Sequence, residues 1–240
     1  MCHLTRTVSA LAIITALLPL GCSSDDDATL TLTLSSPSIQ AGKSIPNDFT
    51  CEGKAFGEGT SPELDWSNPP SGTKSYAILL KDLTIEAGEA GDMDPEHPFH
   101  WTIWNIAGST HQLSASLSND QHPITGAQQQ NGGPPFISPA PYGYFGPCPN
   151  LAAAGLGAPK ETHNDAFILY AFSDATLTPP EYDPGTNPDA PLNPVRQLAN
   201  FFESHASLLK KAELKFTADA TPATCPGFPN PPFTCADAAP

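Results

Sequence analysis

Two apolar runs constrain this chain more than anything else in it. Residues 75–81 read Ser-Tyr-Ala-Ile-Leu-Leu-Lys and end on Asp82, and residues 99–106 read Phe-His-Trp-Thr-Ile-Trp-Asn-Ile. The first is a buried-strand pattern, and the second has the aromatic and β-branched content of a central strand, so a sheet organises the fold. Shorter extended pieces join them. Leu30 to Leu34 alternates Leu with Thr, and Pro62-Glu63-Leu64-Asp65-Trp66 alternates again before the turn Asn68-Pro69-Pro70-Ser71-Gly72. Phe49-Thr50, Asp165 to Phe172 and Leu214 to Phe216 supply further strands. One helix is convincing. Val195, Leu198, Phe201, Phe202, Ala206 and Leu209 recur at close to helical spacing over 194–210, with Asn193 as N-cap and Lys210 and Lys211 suited to the C-terminal end of the dipole. The expected class is mainly β, with about seven strands, one late helix and long loops.

The first 22 residues read as a leader rather than as fold. His3 and Arg6 stand in a start without acidic groups, followed by an apolar run of 11 residues (10–20) too short to span a bilayer, then Gly21-Cys22-Ser23-Ser24. A cysteine in that place resembles the bacterial lipoprotein box, with Cys22 lipidated, although Pro19 stands where that box has Leu. The expectation is therefore an exported, periplasmic or cell-surface protein anchored to the membrane through Cys22, with an ordinary signal peptide cut nearby as the alternative. Residues 23–28, with Asp25-Asp26-Asp27, form a solvated tether, the folded domain is expected over 29–217, and residues 218–240 form a Pro-rich tail.

Charge removes two functional classes. Without Arg6, nine basic residues face 25 acidic ones, a net of −16. Nucleic acid demands clustered Lys and Arg, and so does electrostatic docking on an anionic membrane surface. High Pro (28) and Gly (18) contents fit a turn-rich protein outside the cytoplasm. Setting aside Cys2 and Cys22 leaves four cysteines, an even number that suggests disulfides in an exported chain. Cys225 and Cys235 bracket a short loop and are the easiest pair to close; Cys51 and Cys148 then pair or remain buried thiols. Without Cys-x-x-Cys spacing, a zinc knuckle or redox dithiol is not expected.

Three positions carry chemistry. Asp82 closes a hydrophobic strand, where a carboxylate is expected at the exposed tip. His100-Trp101 opens the aromatic strand, and His163 stands just ahead of another strand, after Tyr144-Phe145-Gly146-Pro147-Cys148-Pro149. Singly, such histidines are usually rim residues. In combination, and in order, they resemble a family. Thr50-Cys51-Glu52-Gly53, Ser61-Pro62-Glu63-Leu64-Asp65-Trp66, Asp82, His100-Trp101 with Asn105-Ile106, Gly126-Ala127 with Asn131-Gly132, the Gly-Pro-Cys-Pro turn, His163 and Ala212-Glu213-Leu214 together look like the phosphatidylethanolamine-binding proteins, closest to the bacterial Raf-kinase-inhibitor-like branch.

That resemblance implies a two-sheet β fold with long pocket-forming loops and a small pocket for an anion or phospholipid headgroup. It implies Asp82 as acceptor and orienter, His100 and His163 as donors, and Trp101, Tyr144, Gly146, Pro147 and Cys148 as lining. Imidazoles suit this work, because they donate ring N–H bonds and gain charge as an anion arrives. The loop of residues 107–162 is taken as functional because it carries this turn. The sequence departs from the family in two places. Leu83-Thr84 stands where the family has Pro-Asp, and Asn164-Asp165 where it has Arg-Tyr, so a tyrosine hydroxyl is missing and a carboxylate is added unless Asp165 lies on the outer face.

The chain is expected to bind without catalysis or cofactor. It has no Gly-x-Ser-x-Gly elbow and no serine to partner the histidines. His97 and His100 with Asp92, Asp94 and Glu96 read as a solvated acidic loop rather than a metal site. Extracytoplasmic protease inhibition through surface loops, which the family also performs, is the alternative; kinase control fits an exported chain poorly.

Overall fold

A computed structural model describes residues 30–51, 59–88, 98–133, 140–148, 162–182 and 193–219. Among these, eight strands build two sheets. The smaller takes the order β1 (Thr33–Ser35), β2 (Leu64–Ser67), β5 (Gln112–Leu113). The larger takes the order β6 (Gln128–Asn131), β4 (Phe99–Ala107), β3 (Ser75–Asp82), β7 (Thr162–Phe172), β8 (Leu208–Asp219). Every strand pair is antiparallel.

The unbroken apolar run of β3 follows from burial on both faces, which removes the usual polar alternation. Tyr76, Ile78 and Leu80 join Trp66, Trp101, Ile103, Phe167 and Leu169 in the core between the sheets. Ala77 and Leu79 turn the other way, into a second core with Phe99, Ile168, Tyr170 and Phe172 under the helix α2 (Pro194–Ser204). That helix buries Val195, Leu198, Ala199 and Phe202, one stripe of a 3.6-residue period. Asn193 caps it, its side chain accepting from Val195 N at 2.8 Å while its amide donates to Phe99 O and Gly132 O, and Pro194 takes the first turn, where no amide hydrogen is needed.

The helix ends six residues earlier than its spacing predicts. His205 is extended, and the chain turns into β8, which is 12 residues long where a short 214–216 strand was expected. Ala212, Leu214, Phe216 and Ala218 face the core between the sheets, alternating with the charged Lys211, Glu213 and Lys215. Lys210 and Lys211 therefore belong to a sheet edge, where charge discourages stray pairing, and not to a helix terminus. The strand also carries Ala218 and Asp219, which the sequence reading assigns to the tail. Further differences are small: β1 starts at Thr33, residues 47–49 form a 3₁₀ turn, and the 107–162 stretch contributes β5 and β6.

Candidate functional site

The end of the larger sheet gathers four polar side chains from three adjacent strands. Asp82 and Asp165 are direct cross-strand partners in the β3–β7 ladder, so their side chains share a face. His163 lies two residues before Asp165, on that same face. His100 arrives through an irregularity. Leu80 pairs with Trp101 but Lys81 with Phe99, leaving His100 as the extra residue of a β-bulge. Phe99 and Trp101 consequently enter opposite cores, and His100 comes within reach of Asp165, Nε2 to Oδ1 being 3.8 Å.

Asp82 is no exposed tip. It is 3% exposed and caps a one-turn helix, α1 (Leu83–Glu86), Oδ1 accepting from Ile85 N at 2.9 Å. Its other oxygen, Oδ2, accepts from His163 Nδ1 at 2.6 Å. A buried carboxylate is tolerable only with such partners, and Asp82 has one on each oxygen. The Leu83-Thr84 departure is absorbed locally, since Thr84 Oγ1 accepts from Asn164 N at 2.8 Å and ties α1 to β7.

Asp165 differs from Asp82. It is wholly buried rather than on the outer face, and neither of its oxygens has a hydrogen-bond partner among the described residues. Burial first, and the neighbouring Asp82 charge second, push its carboxyl well above the ordinary aspartate range. The Tyr144 hydroxyl is pushed up too, by burial and then by Asp165.

The remaining sequence candidates divide. Trp101 belongs to the core between the sheets, its Nε1 donating to Gln129 Oε1 at 3.0 Å, and it meets Tyr144 edge-on with centroids 5.4 Å apart. Tyr144 donates its hydroxyl to Phe49 O at 2.8 Å. Gly146 provides close packing: a Cβ there would stand 2.2 Å from Phe49 O, so only glycine lets the two backbones approach. Pro147 O accepts from Cys51 N at 2.9 Å, and Cys51 and Cys148 form a disulfide. The 144–148 segment is thereby stapled to 49–51 and holds Phe145 against His100, ring centroids 5.7 Å apart and nearly parallel. Among the described residues, Phe145 is the segment's ring contact with the site histidine, and no periodicity announces it. Asp165 had a signal: stepping back by two from Leu169 and Phe167 places it on the core face. Cys22, Cys225, Cys235 and the acidic loop at 92–97 lie outside the described residues.

A concavity of about 370 Å³ lies elsewhere and is lined by Trp104, Gln128, Gln130, Tyr142 and Gln197 among others. Its described walls are mainly amide, aromatic and proline side chains, with Glu181 as their one carboxylate.

Comparison with known proteins agrees with this fold. The sequence model of the family described as phosphatidylethanolamine-binding protein matches residues 35–217. A Mycobacterium tuberculosis protein named as a lipoprotein, LppC, is 32% identical over 149 residues, 62% of this chain and 59% of LppC, so the match spans about three-fifths of that relative's length. A Chlamydia muridarum UPF0098 protein is 27% identical over 186 residues, 97% of its own length. Among solved structures, Escherichia coli YbcL, described as a new member of the mammalian PEBP family, aligns over 80% of this chain and 100% of its own with a TM-score of 0.56 and 22% identity. At that identity the likeness establishes the two-sheet fold alone.

Proposed function

This chain belongs to the phosphatidylethanolamine-binding protein family, and we propose that it is an exported, non-catalytic binding protein for a small phosphate-bearing ligand, held at Asp82, His100 and His163. The observation that carries this reading is the 2.6 Å contact between His163 Nδ1 and Asp82 Oδ2. It fixes the tautomer and tilt of the ring and leaves Nε2 as the nitrogen to meet an anion. His100, seated on Phe145, supplies a second imidazole from the neighbouring strand. Asp165 replaces the family's tyrosine with a carboxyl and favours a ligand carrying an amine beside its phosphate, such as phosphoethanolamine. Export is supported by the leader-like start with Cys22, by the Cys51–Cys148 disulfide and by the lipoprotein name of a relative.

Thermal denaturation with ligand tests the binding reading. Phosphate and phosphoethanolamine should each raise the melting temperature, and His100→Ala and His163→Ala should abolish the shift. The absence of any shift at millimolar concentrations of both compounds sinks it. For the anchor, Cys22→Ser should release the protein from membranes; a wild-type protein already found in the aqueous phase of a detergent partition refutes that part.

A further inference from the structure

We propose that Asp82, His100 and Asp165 form a binding site for one divalent transition-metal ion of the Zn²⁺ or Mn²⁺ class. One ligand atom from each residue lies within 4.8 Å of the other two, and all three residues are buried. They project from β3, β4 and β7, neighbours in one sheet, so the backbone fixes their convergence. Ligands about 2.0–2.2 Å from a shared ion stand roughly 3–4 Å from each other. The 3.8 Å from His100 Nε2 to Asp165 Oδ1 already meets this, and small side-chain rotations close the rest.

The independent observation is Asp165. A carboxyl with no exposure and, among the described residues, no hydrogen-bond donor on either oxygen is a costly group to bury, and proteins keep such groups where they are paired or coordinate a metal. No Lys or Arg forms an ion pair with Asp165 or Asp82 among the described residues; the nearby Lys81 is spent on Glu86. Among the described residues the two buried carboxyls therefore face each other with imidazoles alone as basic neighbours, His163 on Asp82 and His100 at 3.8 Å from Asp165. A dication neutralises both.

The donor set selects the ion. Two carboxylates and one imidazole leave open coordination positions and suit Zn²⁺, Mn²⁺ or Fe²⁺. Ca²⁺ and Mg²⁺ ask for six or more oxygens, and soft ions ask for thiolate, which the disulfide at Cys51–Cys148 withholds. His163 and the Ile85 amide then act as positioning groups, holding the Asp82 carboxylate in place. The site shares Asp82 and His100 with the proposed phosphate site, and titrating the metal without phosphate keeps the failure of one distinguishable from the failure of the other.

The experiment uses chelator-stripped protein with its disulfide intact, without phosphate, in a non-coordinating buffer near pH 7.5. Calorimetric titration with Zn²⁺ should give one equivalent, and Co²⁺ should give the visible absorption of a nitrogen–oxygen site. Asp165→Asn should weaken Zn²⁺ binding about 100-fold or more. His100→Ala, on a different strand, should do the same and keeps the test open if either variant folds poorly. Saturable binding absent up to about 1 mM, or one equivalent retained in both variants, overturns the site.

Discussion

Asp165→Asn gives the sharpest physical test of the buried cluster. In the folded protein the Asp165 carboxyl is wholly buried beside Asp82 and holds its proton well above the usual aspartate value of 3.8; in the unfolded chain it does not. Ile85 and His163 occupy the oxygens of Asp82, whereas neither oxygen of Asp165 has a hydrogen-bond partner among the described residues, so the perturbation falls on Asp165. The sign follows. Below the unfolded value both states are protonated and Asp165 costs nothing. Above it the folded state binds one more proton than the unfolded one, so stability falls as pH rises, until the folded pKa is passed and the cost levels off. The slope is about 1.4 kcal/mol per pH unit for one proton. Asn is nearly isosteric and cannot ionise, so the variant should escape this slope. In a chelating buffer its advantage over wild type should widen with pH above about 4, by up to roughly 3–5 °C of melting temperature per pH unit for a domain of this size. Thermal unfolding of both proteins by circular dichroism from pH 4 to 8 measures it. An Asn variant no more stable than wild type at neutral pH, or a gap that does not change with pH, would refute the burial and charge argument together.

Three other perturbations probe the frame around the site. Removing the Cys51–Cys148 bridge in a double Ala variant opens a closure across 97 residues and should cost about 3–5 kcal/mol by urea denaturation under oxidising conditions. Asn193→Ala deletes the α2 cap and its bonds to Phe99 O and Gly132 O, and should lower the urea midpoint by an amount worth about 2–3 kcal/mol. Gly146→Ala pushes a methyl against Phe49 O and should destabilise by about 1–3 kcal/mol, with near-ultraviolet circular dichroism reporting the displaced Tyr144 and Phe145.

The sequence exposes much of this fold because β3 and β4 are buried on both faces and α2 on one, so their apolar patterns are undiluted. Where two periods overlap it misleads. Leu209 falls at helical spacing from Phe202, yet Ala212, Leu214 and Phe216 alternate, and the alternation prevails because it lets β8 complete the sheet beside β7. The site was partly visible: Asp82, His100 and His163 stand out as polar groups at strand ends. Their pairing was not, since Asp82 and His163 are 81 residues apart and meet only through the β3–β7 register. The bulge at His100 is likewise invisible in sequence, because a one-residue slip against Leu80 and Lys81 is decided by packing on both cores.

A crystal structure of the protein soaked with phosphoethanolamine tests the central claim most directly. The account predicts ligand density within hydrogen-bond distance of His100 and His163, beside Asp82. Density confined to the Trp104–Gln130 cavity, or its absence from both places at saturating concentration, would contradict it.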